Sequence, residues 1–234
     1  MARIGYGYGS EFHLLRYLGY HRNALNKAIK EKTGGRMRDW LDFEFGTEGR
    51  SDHLDSELKG VDFVDADPEL KSAWIKFWPQ TGNVPNWDAV GLLESNSGVE
   101  YLLAEAKAHV EEIQSSCGAR KQGGLDVIRK AFDAAINANG LTVSVENWLK
   151  PYYQYANRLA HLHFLLQHDT PARLLFIYFC GDDWHGKTLS NGRAPNCPKS
   201  EQEWGPYLRV MHQHLGLTGG SELEKRVHHL FLPI

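Results

Sequence analysis

The sequence predicts an α/β fold, a mixed central β-sheet flanked by helices, built as a single domain over residues 1–234. Three observations lead there. Arg173 to Cys180 (RLLFIYFC) is a continuous apolar run bounded by Pro171 and by Gly181-Asp182-Asp183, as a strand buried on both faces should be. The segments VPNWDAVGLL and VEYLLAEAKAHV flank the polar turn ESNSG, which is the pattern of a hairpin. Several other segments repeat apolar residues at helical spacing.

The elements follow in chain order. Ser10 is a candidate N-cap. Phe12, Leu14, Leu15, Leu18, Leu25 and Ile29 then recur with helical period until Gly34-Gly35, giving one long helix or two joined near Gly19. DWLDFEF, from Asp39, reads as a short strand or helix, and PELKSAWIKF as a short helix within an otherwise weakly patterned stretch. The hairpin comes next. Its second strand carries a conflict, because AEAKAHVEEI is rich in helix formers and Leu102, Leu103, Ala106, Val110 and Ile113 also fit a helical stripe. The preceding turn favours strand. Residues 115–124 form a loop, Leu125 to Ala138 a helix with one apolar face, and 148–167 a second helix. After the apolar strand come a polar loop over 184–200, a helix from Glu203 to Leu215, and a last strand in HHLFLPI.

Composition excludes several classes. A formal net charge of −3 rules out a globally basic nucleic-acid coat, so any contact with a polyanion must come from local patches. Three cysteines with no CxxC pair argue against a disulfide framework or a thiolate zinc site. The opening MARIGYGYGSEF lacks the apolar core of a secretory signal, and no run approaches the roughly 20 apolar residues that span a bilayer. The expectation is a cytoplasmic protein with no membrane partner. The GYGYG run follows no strand and lacks GKS or GKT, so it is a poor nucleotide loop. His161/His163 and His212/His214 sit two apart on helices, which turns the rings to different faces, and no HExxH is present.

The chemistry concentrates at Asp88 and Glu105-Ala106-Lys107. On a strand, Glu105 and Lys107 point to the same face. With residues 87–93 as the hairpin partner, Asp88 lies beside them. Two carboxylates there could hold Mg²⁺, or Mn²⁺ in its place, because hard cations take oxygen ligands. The cation would polarise a phosphodiester and acidify an attacking water, and Lys107 would orient that water or neutralise developing charge. The competing reading is a solvated helix face with ion pairs four residues apart. Arg22, Lys27, Lys30, Lys32, Arg36 and Arg38 form a basic stretch, read first as a solvated face. Arg120-Lys121 lies closer to the expected active edge.

An Asp on one strand and an acid-x-Lys on the next resembles the PD-(D/E)XK, or restriction-endonuclease-like, nucleases, with Trp87 where a proline often precedes the Asp. The order helix, motif hairpin, helix, strand resembles that core too, with residues 36–80 as an insertion. The resemblance implies hydrolysis of phosphodiester bonds, with DNA the expected nucleic acid. It implies a metal held by Asp88, Glu105 and Glu11, the last from the first helix. It adds Gln154, on the helix before the buried strand, to the catalytic set. Cutting both strands would favour a homodimer with two-fold symmetry. The alternative is a non-catalytic nucleic-acid-binding or assembly protein on the same fold.

Overall fold

A five-stranded sheet, in the order Arg36–Trp40, Ala89–Ser95, Gly98–Lys107, Ala172–Cys180 and Val227–Pro233, forms the centre of the molecule. The computed structural model describes residues 7–41, 58–64, 67–82, 84–120 and 124–234. The sheet strands are β1 (Arg36–Trp40), β4 (Ala89–Ser95), β5 (Gly98–Lys107), β6 (Ala172–Cys180) and β7 (Val227–Pro233); β2 (Leu58–Lys59) and β3 (Asn86–Trp87) form a separate small ribbon. The pairs β1–β4 and β4–β5 are antiparallel, whereas β5, β6 and β7 are mutually parallel. The sheet is therefore mixed.

The conflict at AEAKAHVEEI resolves as strand through Lys107, followed by a 3-10 turn at Val110–Ile113. Tertiary pairing overrides the helical propensity, because β5 is hydrogen-bonded to a strand on each side. Its alternation then sorts the side chains. Leu102, Ala104, Ala106 and Ala108 pack on one face with Leu14 and Leu18 of α1 (Ser10–Gly19) and Leu25 and Ile29 of α2 (Arg22–Thr33). The small alanines leave room for the α1 leucines to approach the sheet. β6 repeats the division: Leu175, Ile177 and Phe179 face α1 and α2, while Leu174, Phe176 and Tyr178 face the larger core. Each such fully buried side chain contributes roughly 1.5–3 kcal/mol.

The larger core lies under α3 (Pro68–Phe77), α4 (Leu125–Ala138), α5 (Val145–Leu149), α6 (Tyr153–Gln167) and α7 (Glu201–Leu215). Helices thus flank both faces. The helix expected over 148–167 is two helices, α5 and α6. Pro151 cannot donate its missing N–H and disfavours helical geometry at Lys150, which is extended (φ −168, ψ 153). α1 and α2 are likewise separate, broken at Tyr20-His21, and Gly34 ends α2 in the left-handed region (φ 74). Ser10 is the first helical residue, with Gly9 at the cap position.

The stretch 36–80 is not wholly an insertion into the core, because Arg36–Trp40 is the edge strand of the main sheet. β1 crosses β4 at Gly91, where a Cβ would stand 2.5 Å from Met37 Cε and 2.9 Å from the Asp39 carbonyl oxygen. PELKSAWIKF is α3, capped by the Asp67 carboxylate accepting from Leu70 N at 2.9 Å. Trp74 and Trp78 from this region pack on His161 of α6, with ring centroids 4.4 and 4.8 Å away. Residues 42–57 of the expected insertion lie outside the described residues. Among the described residues no helix is long and apolar enough to cross a membrane.

Candidate active site

The end of β4 creates the site. Antiparallel pairing with β5 stops at Ala89 opposite Ala104, yet β5 runs on to Lys107 alongside β6. The Ala106 and Ala108 N–H groups, on the edge that β4 has left, need acceptors. Two carboxylates supply them: Asp88 Oδ2 accepts from Ala106 N at 2.7 Å and Glu112 Oε2 from Ala108 N at 2.5 Å. Asp88 is steadied from the other side by its neighbour Trp87, fully buried, whose indole N–H donates to the Gly60 carbonyl oxygen at 2.9 Å.

Glu105 and Lys107 share one face of β5, as the two-residue spacing requires. Lys107 Nζ donates to Glu105 Oε1 at 2.5 Å, and Gln154 Nε2 donates to the same oxygen at 2.6 Å. The other oxygen, Oε2, accepts from Arg158 Nε at 2.9 Å and Nη2 at 2.7 Å. Gln154 and Arg158 stand four residues apart on α6, so one helix face reaches both oxygens. Arg158 is itself held in place. It donates to the Asn86 carbonyl oxygen and to Asn157 Oδ1, and its guanidinium lies 4.7 Å above the Trp87 ring.

Charge follows from this geometry. Burial pushes Glu105 up, but the Arg158 and Lys107 cations outweigh it and hold the carboxyl below its ordinary value. Burial pushes Lys107 down, and Glu105, Asp88 and Glu112 outweigh it and keep the ammonium charged. Asp88 goes the other way: burial and the Glu105 charge raise it to about 7. One carboxylate is locked in its charged form and the other is poised near neutral pH.

Asp88, Gln154 and Arg158 line a cleft of about 840 Å³, together with Asn86, Tyr153 and Arg120. Asn86 Oδ1 is a buried acceptor with no hydrogen-bond partner among the described residues. Of the basic candidates, Arg120 lines the cleft and Lys121 lies outside the described residues. None of the Arg22–Arg38 cations borders it; Arg36 pairs with Glu94 and Lys27 with Glu31.

Four of the five sequence-named residues, Asp88, Glu105, Lys107 and Gln154, come together here. Glu11 does not join them. It is exposed on the first turn of α1, and among the described residues no three His, Cys, Asp or Glu side chains are grouped to hold a metal. Helix α1 reaches this corner through Ser10 instead, whose hydroxyl donates to Glu112 Oε1 at 3.1 Å. Its first turn is anchored by Asp182, which accepts from Gly9 N at 2.7 Å and lies 3.1 Å from His13 Nε2.

The sequence reading missed Arg158, Glu112 and Asn86. Arg158 carried a signal: it is the lone cation on the apolar pattern YQYANRLAHLHFLL, and a buried arginine needs a buried acid. Comparison with protein-family models, with curated proteins and with solved structures finds no match.

Proposed function

We propose that this chain is a metal-dependent nuclease that hydrolyses phosphodiester bonds, with DNA as the expected substrate. The observation that supports it best is Asp88 at the wall of an open cleft, with Glu105 and a charged Lys107 buried behind it and close enough to shift its charge. The element order α1, motif hairpin β4–β5, α6, β6 also agrees with the restriction-endonuclease-like arrangement that the motif suggests.

The donor set fits a hard divalent cation such as Mg²⁺. Asp88 offers a carboxylate and Asn86 an oxygen that lacks a partner, both at the cleft wall. Glu105 stands behind them and would contribute once Gln154 or Lys107 shares Oε1. Bound there, the cation supplies polarisation of the scissile phosphate and acidifies a water. The residues do the rest. Lys107, a full positive charge held against Glu105 behind the cleft wall, would help offset negative charge building on the phosphoryl oxygens. Arg158 and Gln154 keep Glu105 oriented, and Arg120 meets the incoming backbone. Asp88, Glu105 and Glu112 are nearly balanced by Lys107 and Arg158. Little net charge therefore draws a cation in alone, and cation and phosphate should bind together.

A second reading has one specific observation in its favour. All four lone-pair positions of Glu105 are taken by protein donors. That suits a scaffold that binds nucleic acid without cutting it. Cleavage of supercoiled plasmid, single-stranded DNA and RNA with Mg²⁺ or Mn²⁺ separates the two. Cutting by the wild type that Lys107→Ala and Asp88→Asn abolish is the expected result. Cutting that survives both substitutions would sink the site, and binding without cutting on every substrate would favour the scaffold.

A further inference from the structure

Three polar atoms converge on the opposite flank of α6, away from the cleft. Tyr155 Oη lies 3.2 Å from His212 Nε2 on α7 and 3.0 Å from His229 Nε2 on β7. The two imidazoles are nearly parallel, 27° apart, with centroids 5.0 Å from each other. Tyr155 is fixed beneath them by stacking on Phe176 at 4.2 Å. All three polar residues border a cavity of about 650 Å³, which Arg209 and Glu224 also line. Spacing along the chain set His212 against His214 and found different helix faces; the fold pairs His212 with His229 instead, across α7 and β7.

A phenol between two imidazoles is an economical hydrogen-bond bridge, in which the hydroxyl donates to one ring nitrogen and accepts from the other. Two features go beyond that need. The bridge faces an open cavity rather than a sealed core. The Tyr155 oxygen also lies 3.2 and 3.0 Å from the two nitrogens, near the roughly 3.3 Å between ligating atoms on bonds of about 2.0–2.1 Å at a tetrahedral angle.

We infer that His212 and His229 form a binding site for an imidazole-preferring divalent transition-metal ion, with the Tyr155 hydroxyl as a third, weaker donor and a fourth position open to the cavity. Imidazole nitrogen suits Zn²⁺, Cu²⁺ and Ni²⁺ and is a poor match for Mg²⁺. The site is thus chemically distinct from the oxygen-rich cleft and does not rest on the nuclease reading.

The test titrates the full-length protein with Zn²⁺ by calorimetry and with Cu²⁺ by electron paramagnetic resonance, without nucleic acid. One tight equivalent is expected, with a nitrogen pattern from two imidazoles. His212→Gln and His229→Gln should each weaken it at least about 100-fold and Tyr155→Phe about 10-fold, extrapolating from outer-shell losses. His185→Gln, on an exposed turn, should leave it unchanged. If His229→Gln fails to fold by circular dichroism, His212→Gln and Tyr155→Phe decide. Stoichiometry and spectrum unchanged in those variants, or the absence of a tight equivalent in the wild type, overturns the proposal.

Discussion

Glu100 and Glu105 sit on the same strand and are equally buried, 2% exposed each, yet their surroundings differ in kind. Glu100 receives Arg173 Nε at 2.5 Å and the Ser95 hydroxyl at 3.1 Å, with Arg226 in reserve at 3.5 Å. Cations outnumber acids there, and Glu100 lies below its ordinary value because Arg173 outweighs burial. Glu105 has equally good partners but shares its space with Asp88, whose carboxyl is raised to about 7 first by burial and then by the Glu105 charge. One end of β5 is a closed ion cluster that stabilises the sheet. The other keeps an unresolved repulsion beside a cleft, where positive charge from outside would relieve it.

The sharpest way to break this contrast is to remove one charge from each end. Lys107→Met should lower metal-dependent cleavage at least about 10³-fold, roughly 4 kcal/mol of transition-state stabilisation. Glu100→Gln should stay within about threefold of wild type. Comparing kcat/KM of the two decides it, and equal losses would mean that both ends are merely structural.

Stability should divide the ends the other way. Arg158 is 4% exposed, and among the described residues it alone reaches Glu105 Oε2. Arg158→Met leaves a buried carboxylate short of its main cation and should cost about 3–5 kcal/mol. Arg173 is 18% exposed and Arg226 can take up part of its role, so Arg173→Met should cost about 1–3 kcal/mol. Urea unfolding with an unchanged m-value measures both. A larger loss at Arg173 would reverse the assignment of the tighter cluster.

The raised Asp88 carboxyl has a pH signature. Asp88 is raised to about 7 from 3.8 in an unfolded chain, so between those values the folded state holds a proton that the unfolded state has released. The stability tied to that proton is complete below about pH 4 and is lost as pH rises through 7. Asp88→Asn keeps an acceptor for Ala106 N but cannot ionise. In metal-free buffer its stability relative to wild type should therefore grow by on the order of 2 kcal/mol from pH 5 to pH 8. The buried histidines titrate in both proteins and cancel in the difference. A flat difference would show that Asp88 ionises without hindrance, and the two ends of β5 would then be electrostatically alike.

Much of this was legible in the sequence. RLLFIYFC could be little but a buried strand, and the ESNSG turn gave the hairpin its register, which brought Asp88 to the side of Glu105. Gln154 was placed by its position on the helix before that strand. What failed depended on distances no local pattern holds. Pro151 split a helix whose apolar stripe continued through it. Glu11 and Glu112 were both acids near helical turns, and only the packing of α1 on β5 shows that Glu112 is the one at the strand end. Arg36–Trp40 looked like part of an insertion because an edge strand is too short to announce its partner.

The smallest expected effect bears on where a polyanion would lie. Arg120 borders the cleft, whereas Lys27 is on the exposed face of α2, 3.9 Å from Glu31. If the cleft takes the nucleic-acid backbone, Arg120→Ala should weaken binding of a DNA duplex about 3–10-fold without added metal. It should also reduce the slope of log affinity against log salt by about 0.9, the loss of one phosphate contact. Lys27→Ala should change neither, because an exposed lysine already screened by Glu31 adds little. Fluorescence anisotropy across a salt series reads both quantities. An equal loss at Lys27 would put the backbone on the α2 face, across the sheet from Asp88 and Glu105 and away from the cleft.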